Sequence, residues 1–211
     1  MTAPSNQPQD VFTRIYNTRA WGGKPGSSAS RASASGPGSS LQATQLVRPY
    51  LEQFVRKYQI KHILDLPCGD FFWMKLVDFG NTVYIGADIV PDIIDANRKQ
   101  YPSKPFMVLD LIQDPLPPCE LIFCRDCLVH LTNNDILKAI SNMRASGIKY
   151  LMATTFPLLV TNTDLTQRGK WRPLSLELPP FSFPPPLELL HETSGLPDKT
   201  YGFKCLGVWE L

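Results

Sequence analysis

The amino-acid sequence predicts an α/β fold built on a mostly parallel sheet, and three observations predict it. Short apolar segments typical of strands alternate with helical patterns between residues 62 and 156, which implies right-handed crossovers between parallel strands. These segments are apolar along most of their length, as expected when both faces of a sheet are covered. Residues 186–192 and 203–211 are two apolar runs separated by turn formers, and they predict an antiparallel pair at the end of the sheet.

The individual elements follow from local patterns in chain order. Apolar residues at helical spacing predict helices over residues 11–21, 41–58, 71–79, 91–100 and 133–145. Pro91 suits the first position of its helix because the missing N–H costs little there, and Asn133 or Asn134 is a plausible N-cap. Strands are predicted over residues 62–66, 83–88, 106–111, 120–124, 150–156, 186–192 and 203–211.

The chain of 211 residues, 43% of them hydrophobic, is long enough for one globular domain. We predict that residues 41–211 form this domain and that residues 1–40 add an N-terminal helix and a Gly/Ser-rich segment. That segment is either a flexible linker or a mobile lid over a ligand. A linker joins two domains, and too little chain precedes it to form one, so the lid is favoured.

Composition excludes several classes of partner. The net charge of +2 and the dispersed Lys and Arg residues give no general attraction to nucleic acid or membrane. No apolar run approaches the roughly 20 residues of a membrane span, and the N-terminus lacks the pattern of a signal peptide. Five cysteines, an odd number, suggest reduced and mostly buried thiols. We therefore expect a cytoplasmic protein, either a monomer or a homodimer.

Candidate site residues follow the predicted strands, because open α/β sheets bind ligands at the carboxyl ends of their strands. Asp88 ends the second strand, where it can accept hydrogen bonds from a ribose diol or cap the helix that begins at Pro91. Asp110 follows the third strand and can accept from an exocyclic amine. The fourth strand runs into a cluster of ionisable side chains, namely Cys124, Arg125, Asp126, Cys127 and His130.

Over residues 60–156, four segments resemble in order the nucleotide-binding motifs of class I S-adenosylmethionine-dependent methyltransferases. The segments are ILDLPCGD, YIGAD, VLDL and LIFCRDCLVHL. The resemblance implies a Rossmann-like fold: a mostly parallel seven-stranded sheet flanked by helices, with an antiparallel last strand. Pro67, Gly69 and Phe71 stand where the family has three alternating glycines. A pyrophosphate needs that glycine run, whereas S-adenosylmethionine has no phosphate to cradle.

The resemblance also implies S-adenosylmethionine as the cofactor and a role for each matching position. Asp65 and Gly69 would shape the pocket for the methionine part, Asp88 would hold the ribose hydroxyls, and Asp110 with Leu111 would face the adenine. Arg125 would orient Asp126 or the cofactor carboxylate, unless it is an exposed charge. The expected cofactor-binding set is Asp65, Pro67, Cys68, Gly69, Asp88, Ile89, Asp110, Leu111 and Arg125.

A hydroxyl acceptor of a methyl group requires a base close to that methyl group. Asp126 is the first candidate and His130 the second, since an imidazole titrates near neutral pH. His130 serves packing or capping equally well.

A sugar could be held from two sides. Trp171 and Arg172 could form a stacking and hydrogen-bonding wall, although Trp171 could simply anchor its loop. Tyr16, Trp21 and Ser39 could close the other side.

The segments PCGD, CRDCLVHL and GKWRPLSLE are similar to a subgroup that methylates glycans, which includes chlorovirus and bacterial sugar O-methyltransferases. The resemblance thus implies O-methylation of a sugar hydroxyl in a saccharide or oligosaccharide, for example on a deoxysugar such as rhamnose. The alternatives are a small-molecule or protein methyltransferase and a non-catalytic module that binds S-adenosylmethionine.

The sequence offers two candidate metal sites. Cys124, Cys127 and His130, with Cys119, have a suggestive spacing for zinc, but no second paired cluster exists. Asp110, Asp114 and Asp126 could offer oxygens to magnesium, but not at a convincing spacing. We predict no metal.

Overall fold

The computed structural model describes residues 7–22, 33–192 and 203–211. The centre of the predicted lid, residues 23–32, lies outside the described residues. No helix among those described is long and apolar enough to cross a membrane. The described residues form four α-helices: α1 Pro8–Asn17, α2 Val47–Lys57, α3 Pro91–Gln100 and α4 Asn133–Ala145.

Within the described part of the chain, the strands form one seven-stranded sheet of order β3-β2-β1-β4-β5-β7-β6. Only β7 is reversed: it runs antiparallel to β5 and β6, while the remaining neighbours pair in parallel. The predicted fold class is therefore confirmed. The strands are β1 His62–Asp65, β2 Val83–Asp88, β3 Phe106–Val108, β4 Leu121–Cys124, β5 Tyr150–Thr155, β6 Glu188–His191 and β7 Cys205–Glu210.

Two apolar cores cover the two faces of the sheet, which explains why the central strands are apolar throughout. Successive side chains of a strand point to opposite faces. Accordingly, Leu64 and Ile122 pack in one core with α4, whereas Ile63 and Phe123 pack in the other with α2. Every residue of β4 and β5 is buried as a result.

The strand order reverses beside β1, which has β2 on one side and β4 on the other. At such a switch point the connecting segments leave in opposite directions, and a crevice opens at the carboxyl ends of the strands. The fold therefore places the site at the ends of β1, β2 and β4.

The helix predicted over residues 71–79 is wrong, because the segment forms only a 3-10 turn at Met74–Leu76. Phe71 adopts a φ of 54°, which is outside the helical region. The segment 71–79 contains five buried side chains, and in an α-helix these would point to all sides rather than to one face. The irregular path buries all five of them: Phe71, Trp73, Met74, Val77 and Phe79.

The remaining differences concern the ends of elements. α1 begins at Pro8 and ends at Asn17, earlier than predicted at both ends, and residues 41–46 are turns that precede α2. β3 ends at Val108. The helices predicted over 91–100 and 133–145 are confirmed. The cap of α4 is Thr132, whose hydroxyl accepts from the Asp135 N–H at 3.2 Å, rather than Asn133 or Asn134.

The N-cap of α4 gives a test of this assignment. Replacing Thr132→Ala leaves a helix N–H without its acceptor, and we expect a loss of about 1 kcal/mol in the free energy of unfolding, measured by urea denaturation. Asn134→Ala, at an exposed position, is the matched control and should stay within about 0.5 kcal/mol of wild type. A larger loss for Asn134→Ala than for Thr132→Ala would contradict the assignment.

Candidate functional site

The loop after β1 is fixed against the end of β2 by one carboxylate. Asp88 accepts the Gly69 N–H at 3.1 Å on one oxygen and the Val90 N–H at 3.0 Å on the other. The Cys68 N–H donates to the Ala87 carbonyl at 2.7 Å. Gly69 has a φ of 54°, a conformation that glycine adopts without steric cost. Asp88 thus shapes the turn as well as ending its strand.

Two buried carboxylates at this turn have raised pKa values. Burial raises the pKa of Asp65 to about 8, although the Tyr84 hydroxyl, which donates to Asp65 at 2.7 Å, opposes the shift. Burial likewise raises the pKa of Asp88 to about 6 against its backbone N–H partners. Buried carboxylates with shifted pKa values cluster at functional sites.

Sequence reasoning missed Asn97 of α3, which belongs to the same turn. Its side-chain amide donates to the Gly69 carbonyl at 2.8 Å, and Asn97 is buried. A buried amide on the inner face of an amphipathic helix was the available signal, since buried polar groups require partners.

A small apolar cavity lies between the turn and α1. Pro8 and Phe12 of α1 cover it, and Asp110 stands at its edge with one carboxylate oxygen accepting the Ile112 N–H at 2.9 Å. The cavity has a volume of about 40 Å³, and its apolar lining with a carboxylate at the edge can receive one edge of a heteroaromatic ring that bears an amino group. The predicted cofactor residues that line it are Pro67, Ile89, Asp110 and Leu111.

Four charged side chains form a network at the ends of β4, β6 and β7. Arg125 donates twice to Glu192, at 3.1 and 2.6 Å, and once to the Gly38 carbonyl at 2.9 Å. The Lys204 ammonium lies 2.6 Å from Asp126 and 3.3 Å from Glu192. The Arg125 side chain is only 4% exposed, so it is not the exposed strand-end charge considered above.

Sequence reasoning also missed Glu192 and Lys204. The antiparallel register pairs His191 with Cys205, which places Glu192 and Lys204 together at the next position. The predicted pairing of the last two strands was the only signal for their proximity.

Asp126 is the acidic partner of both Lys204 and Arg125 in this network. Burial favours its neutral form, but Lys204 and Arg125 outweigh that effect and hold the pKa of Asp126 well below its usual range. Its backbone has a φ of 54°, and its N–H donates to the Thr154 hydroxyl at 2.8 Å. The side chain is therefore fixed in both charge and orientation.

The surroundings of His130, by contrast, favour the neutral imidazole. Its Nδ1 lies 3.0 Å from the Lys170 carbonyl oxygen, which can only accept, so Nδ1 carries the proton and Nε2 keeps a free lone pair. Burial lowers the pKa of His130 below 6.5. The Trp21 ring stacks on it with centroids 4.4 Å apart. At neutral pH, Nε2 can accept a proton.

The described parts of residues 1–40 lie over this end of the sheet. Ser33 and the Ala34 N–H both donate to Asp70, at 2.8 and 2.7 Å. Burial raises the pKa of Tyr16, and the nearby carboxylates of Asp70 and Asp88 add to this effect. Ser39 ends the 3-10 turn Pro37–Ser39, in which Gly38 packs against the Asp126 carboxylate.

Trp171 and Arg172 differ in their surroundings. Arg172 is buried and donates to the Thr163 and Leu128 carbonyls and to the Asn133 side chain, at 2.8, 3.1 and 2.9 Å. This geometry favours a structural role in the loop after β5 over the predicted contact with a sugar. Trp171 is 39% exposed and packs edge-on against Phe156, so one part of its ring remains accessible.

Within the described ranges, no group of three or more His, Cys, Asp or Glu side chains is arranged to hold a metal ion. Cys124 is buried, Cys127 is partly buried, and both are free thiols.

Neither protein-family models nor curated protein sequences match the chain. Solved structures do match it. Magnesium protoporphyrin IX methyltransferase from Synechocystis PCC 6803 with bound SAM is 12% identical at a TM-score of 0.66, over 99% of each chain. The 1,6-didemethyltoxoflavin-N1-methyltransferase from Burkholderia thailandensis is 12% identical at 0.61, over 100% of this chain and 92% of that one.

A third match is the methyltransferase domain of bacterial CtHen1, 13% identical at a TM-score of 0.55, over 80% of this chain and 100% of that domain. At these identities the similarity is one of fold. The chain thus has the fold of class I S-adenosylmethionine-dependent methyltransferases.

The pKa of Asp65 predicts how stability depends on pH. The folded chain keeps this proton up to about pH 8, whereas an unperturbed aspartate loses it near 3.8. Its contribution to stability is therefore complete below about pH 4 and is lost as the pH rises toward 8. Asp65→Asn removes this titration, so the variant should gain stability over wild type between about pH 5 and pH 8, by up to about 1.4 kcal/mol per pH unit.

Urea denaturation at both pH values measures this difference. Asp95→Asn is the control, since Asp95 is largely exposed on α3 and should show the wild-type pH dependence. A constant difference between Asp65→Asn and wild type across this range would contradict the raised pKa.

Proposed function

We propose that this protein is an S-adenosylmethionine-dependent methyltransferase that transfers the methyl group to a hydroxyl of a sugar. The observation that carries the proposal is the arrangement at the switch point, where a glycine turn held by Asp88 and an apolar cavity lie at the same end of the sheet as His130, whose pKa is lowered. S-adenosylmethionine supplies an electrophilic methyl group on a good leaving group when it is bound. The residues of the chain then have to hold the reactants in line and accept one proton.

The described residues fit the parts of this cofactor. Asp88 would accept the ribose hydroxyls, and Asp110 would accept the adenine amine, with Ile89 and Leu111 against the ring. Asp65 and the turn through Pro67, Cys68 and Gly69 would hold the methionine part. Two hydrogen bonds hold the turn against the end of β2, so it needs little reorganisation, which favours binding.

We propose that Arg125 positions Asp126 and does not contact the cofactor. Its guanidinium already binds Glu192, Gly38 and Asp126, so it positions Asp126.

The proposed base is His130, with Asp126 as its anionic neighbour. A base works best when its pKa lies near the working pH, and the lowered pKa of Asp126 makes it a weak base. The free Nε2 of His130 would take the hydroxyl proton, and the fixed charge of Asp126, which favours protonation of His130, would stabilise the imidazolium. This order reverses the sequence-based ranking of the two residues.

We propose a sugar as the acceptor because polar and aromatic groups lie at the mouth of the site. Asp126 offers a hydrogen-bond acceptor, and Trp171 and Trp21 offer ring faces of the kind that pack on sugars. We propose a saccharide such as a deoxysugar unit of a glycan. The five free thiols support the cytoplasm as the place of action.

A small aromatic acceptor is the second candidate. Leu158 and Val160, in the loop after β5, are 62% and 91% exposed and would give the mouth an apolar rim together with Trp171. An assay of S-adenosylhomocysteine formation across sugars and aromatic alcohols separates the two candidates. Turnover on aromatic alcohols alone would exclude the sugar, and binding without any turnover would indicate a non-catalytic module.

Asp88 tests the cofactor site. Asp88→Asn removes the charge that accepts the Gly69 and Val90 N–H groups and the ribose hydroxyls, so we expect S-adenosylhomocysteine to bind roughly ten- to a hundredfold more weakly. Isothermal titration calorimetry measures this change, with Asp95→Asn as the charge-matched control. Undiminished binding in Asp88→Asn would remove Asp88 from the site.

His130 and Asp126 test the chemistry. His130→Asn should lower turnover by about 10²- to 10⁴-fold with S-adenosylhomocysteine binding retained, and His62→Asn, distant on β1, should not. In wild type, the rate should fall only below pH 6.5, since the pKa of His130 is lowered. Asp126→Ala should also lose turnover with binding retained, but less than His130→Asn. The opposite order of losses would make Asp126 the base.

A further inference from the structure

A second pocket lies away from the carboxyl ends of the strands. The irregular segment that replaces a helix between β1 and β2 does not fill the space between β2 and the turn after α3. The resulting pocket has a volume of about 400 Å³, within the usual range for small-molecule sites. Neither the proposed cofactor nor the proposed acceptor uses it.

The floor of this pocket is aromatic and apolar. Phe71, Phe79 and Tyr84 are buried, and Tyr101 is partly buried. The Phe71 ring lies 5.1 Å from that of Tyr84 and 5.0 Å from that of Tyr101, and the latter pair is edge-to-face. Such a floor favours a flat aromatic ligand, which can pack against the partly buried Tyr101 and meet the accessible edges of the buried rings.

The rim of the pocket is cationic. Lys75 and Lys104 both line it and are exposed. The Lys75 ammonium lies 5.4 Å from the centre of the Phe72 ring. Neither ammonium lies within 4.0 Å of a carboxylate oxygen of a described residue. Ser103, which directly precedes Lys104, adds a hydroxyl to the lining. Two uncompensated cations above an aromatic floor are complementary to an anion with an aromatic body.

The geometry points to a binding site for a planar aromatic carboxylate in the pocket formed by Phe71, Phe79, Tyr84 and Tyr101 with Lys75 and Lys104 at its rim. The ring of the ligand lies on the aromatic floor and its carboxylate faces the two ammonium groups. Because Tyr84 is both a wall of this pocket and the hydrogen-bond donor to Asp65, the ligand also alters the proposed cofactor site.

The test is a calorimetric titration of the full chain with 2-naphthoate, which should show one saturable site. The neutral isostere 2-naphthamide should bind roughly three- to tenfold more weakly, because exposed ion pairs contribute modestly. Lys75→Met combined with Lys104→Met should abolish that difference. Lys99→Met, an exposed lysine of α3 outside the pocket, should preserve it.

Ser103→Trp is designed to fill the pocket from an exposed turn position. It should abolish naphthoate binding while urea unfolding stays cooperative. Equal affinity for acid and amide, unchanged binding in Ser103→Trp, or full displacement by S-adenosylhomocysteine would each overturn the site. The last outcome would place naphthoate in the adenine cavity.

The coupling is measured through S-adenosylhomocysteine affinity, so it rests on the proposed function, whereas the naphthoate titration does not. Saturating naphthoate should change that affinity at least about fivefold, and Tyr84→Phe, which keeps the ring but loses the bond to Asp65, should abolish the change. An unaltered affinity in wild type would overturn the coupling. Failure of S-adenosylhomocysteine to bind at all, with naphthoate still bound, would overturn the proposed function alone.

Discussion

The ion pair between Arg125 and Glu192 is the interaction on which this end of the molecule depends. Both side chains are almost fully buried, and a buried charge is tolerated only when a partner and hydrogen bonds replace its water. Removing either partner leaves the other as an unpaired buried charge, which lowers the free energy of unfolding by about 3–5 kcal/mol. The pair can form only because β7 lies between β5 and β6 in reversed direction, which brings Glu192 to the end of β4. The antiparallel last strand thus completes the site as well as the sheet.

This arrangement separates the two candidate bases by their charge states. Asp126 faces Lys204 and Arg125 and remains ionised, while the partly shielded His130 remains neutral. Neighbouring groups whose environments push their pKa values apart divide the roles of base and electrostatic partner. The same reasoning separates Asp65 and Asp88, which burial moves toward neutrality, from the ionised Asp126. Charge state, rather than residue type, therefore decides the roles proposed at this site.

The sequence could predict whatever depends on local pattern. The apolar runs of β2 and β4 and the stripes of α3 and α4 stand where they were expected, and residues after parallel strands meet because such strands end at one edge. Contacts between residues distant in sequence could not be predicted. Glu192 meets Arg125, and Lys204 meets Asp126 and Glu192, through the antiparallel pairing of β6 and β7, and no local pattern encodes these contacts. The orientation of Arg172 was equally hidden, because its partners lie in three separate segments.

Phe71 shows why one local rule failed and what replaced it. It occupies the third glycine position of the family motif and has the left-handed φ of 54° that glycine tolerates. A side chain there costs of order 1–3 kcal/mol, and it also prevents a helix from starting. The Phe71 ring offsets that cost by packing against Tyr84, Tyr101 and Phe106 at 5.0–5.3 Å, contacts worth about 0.5–1.5 kcal/mol each. A glycine could hold the turn but could not anchor this aromatic cluster. The departure from the motif therefore accepts a strained backbone at Phe71 and gains the packing of its ring.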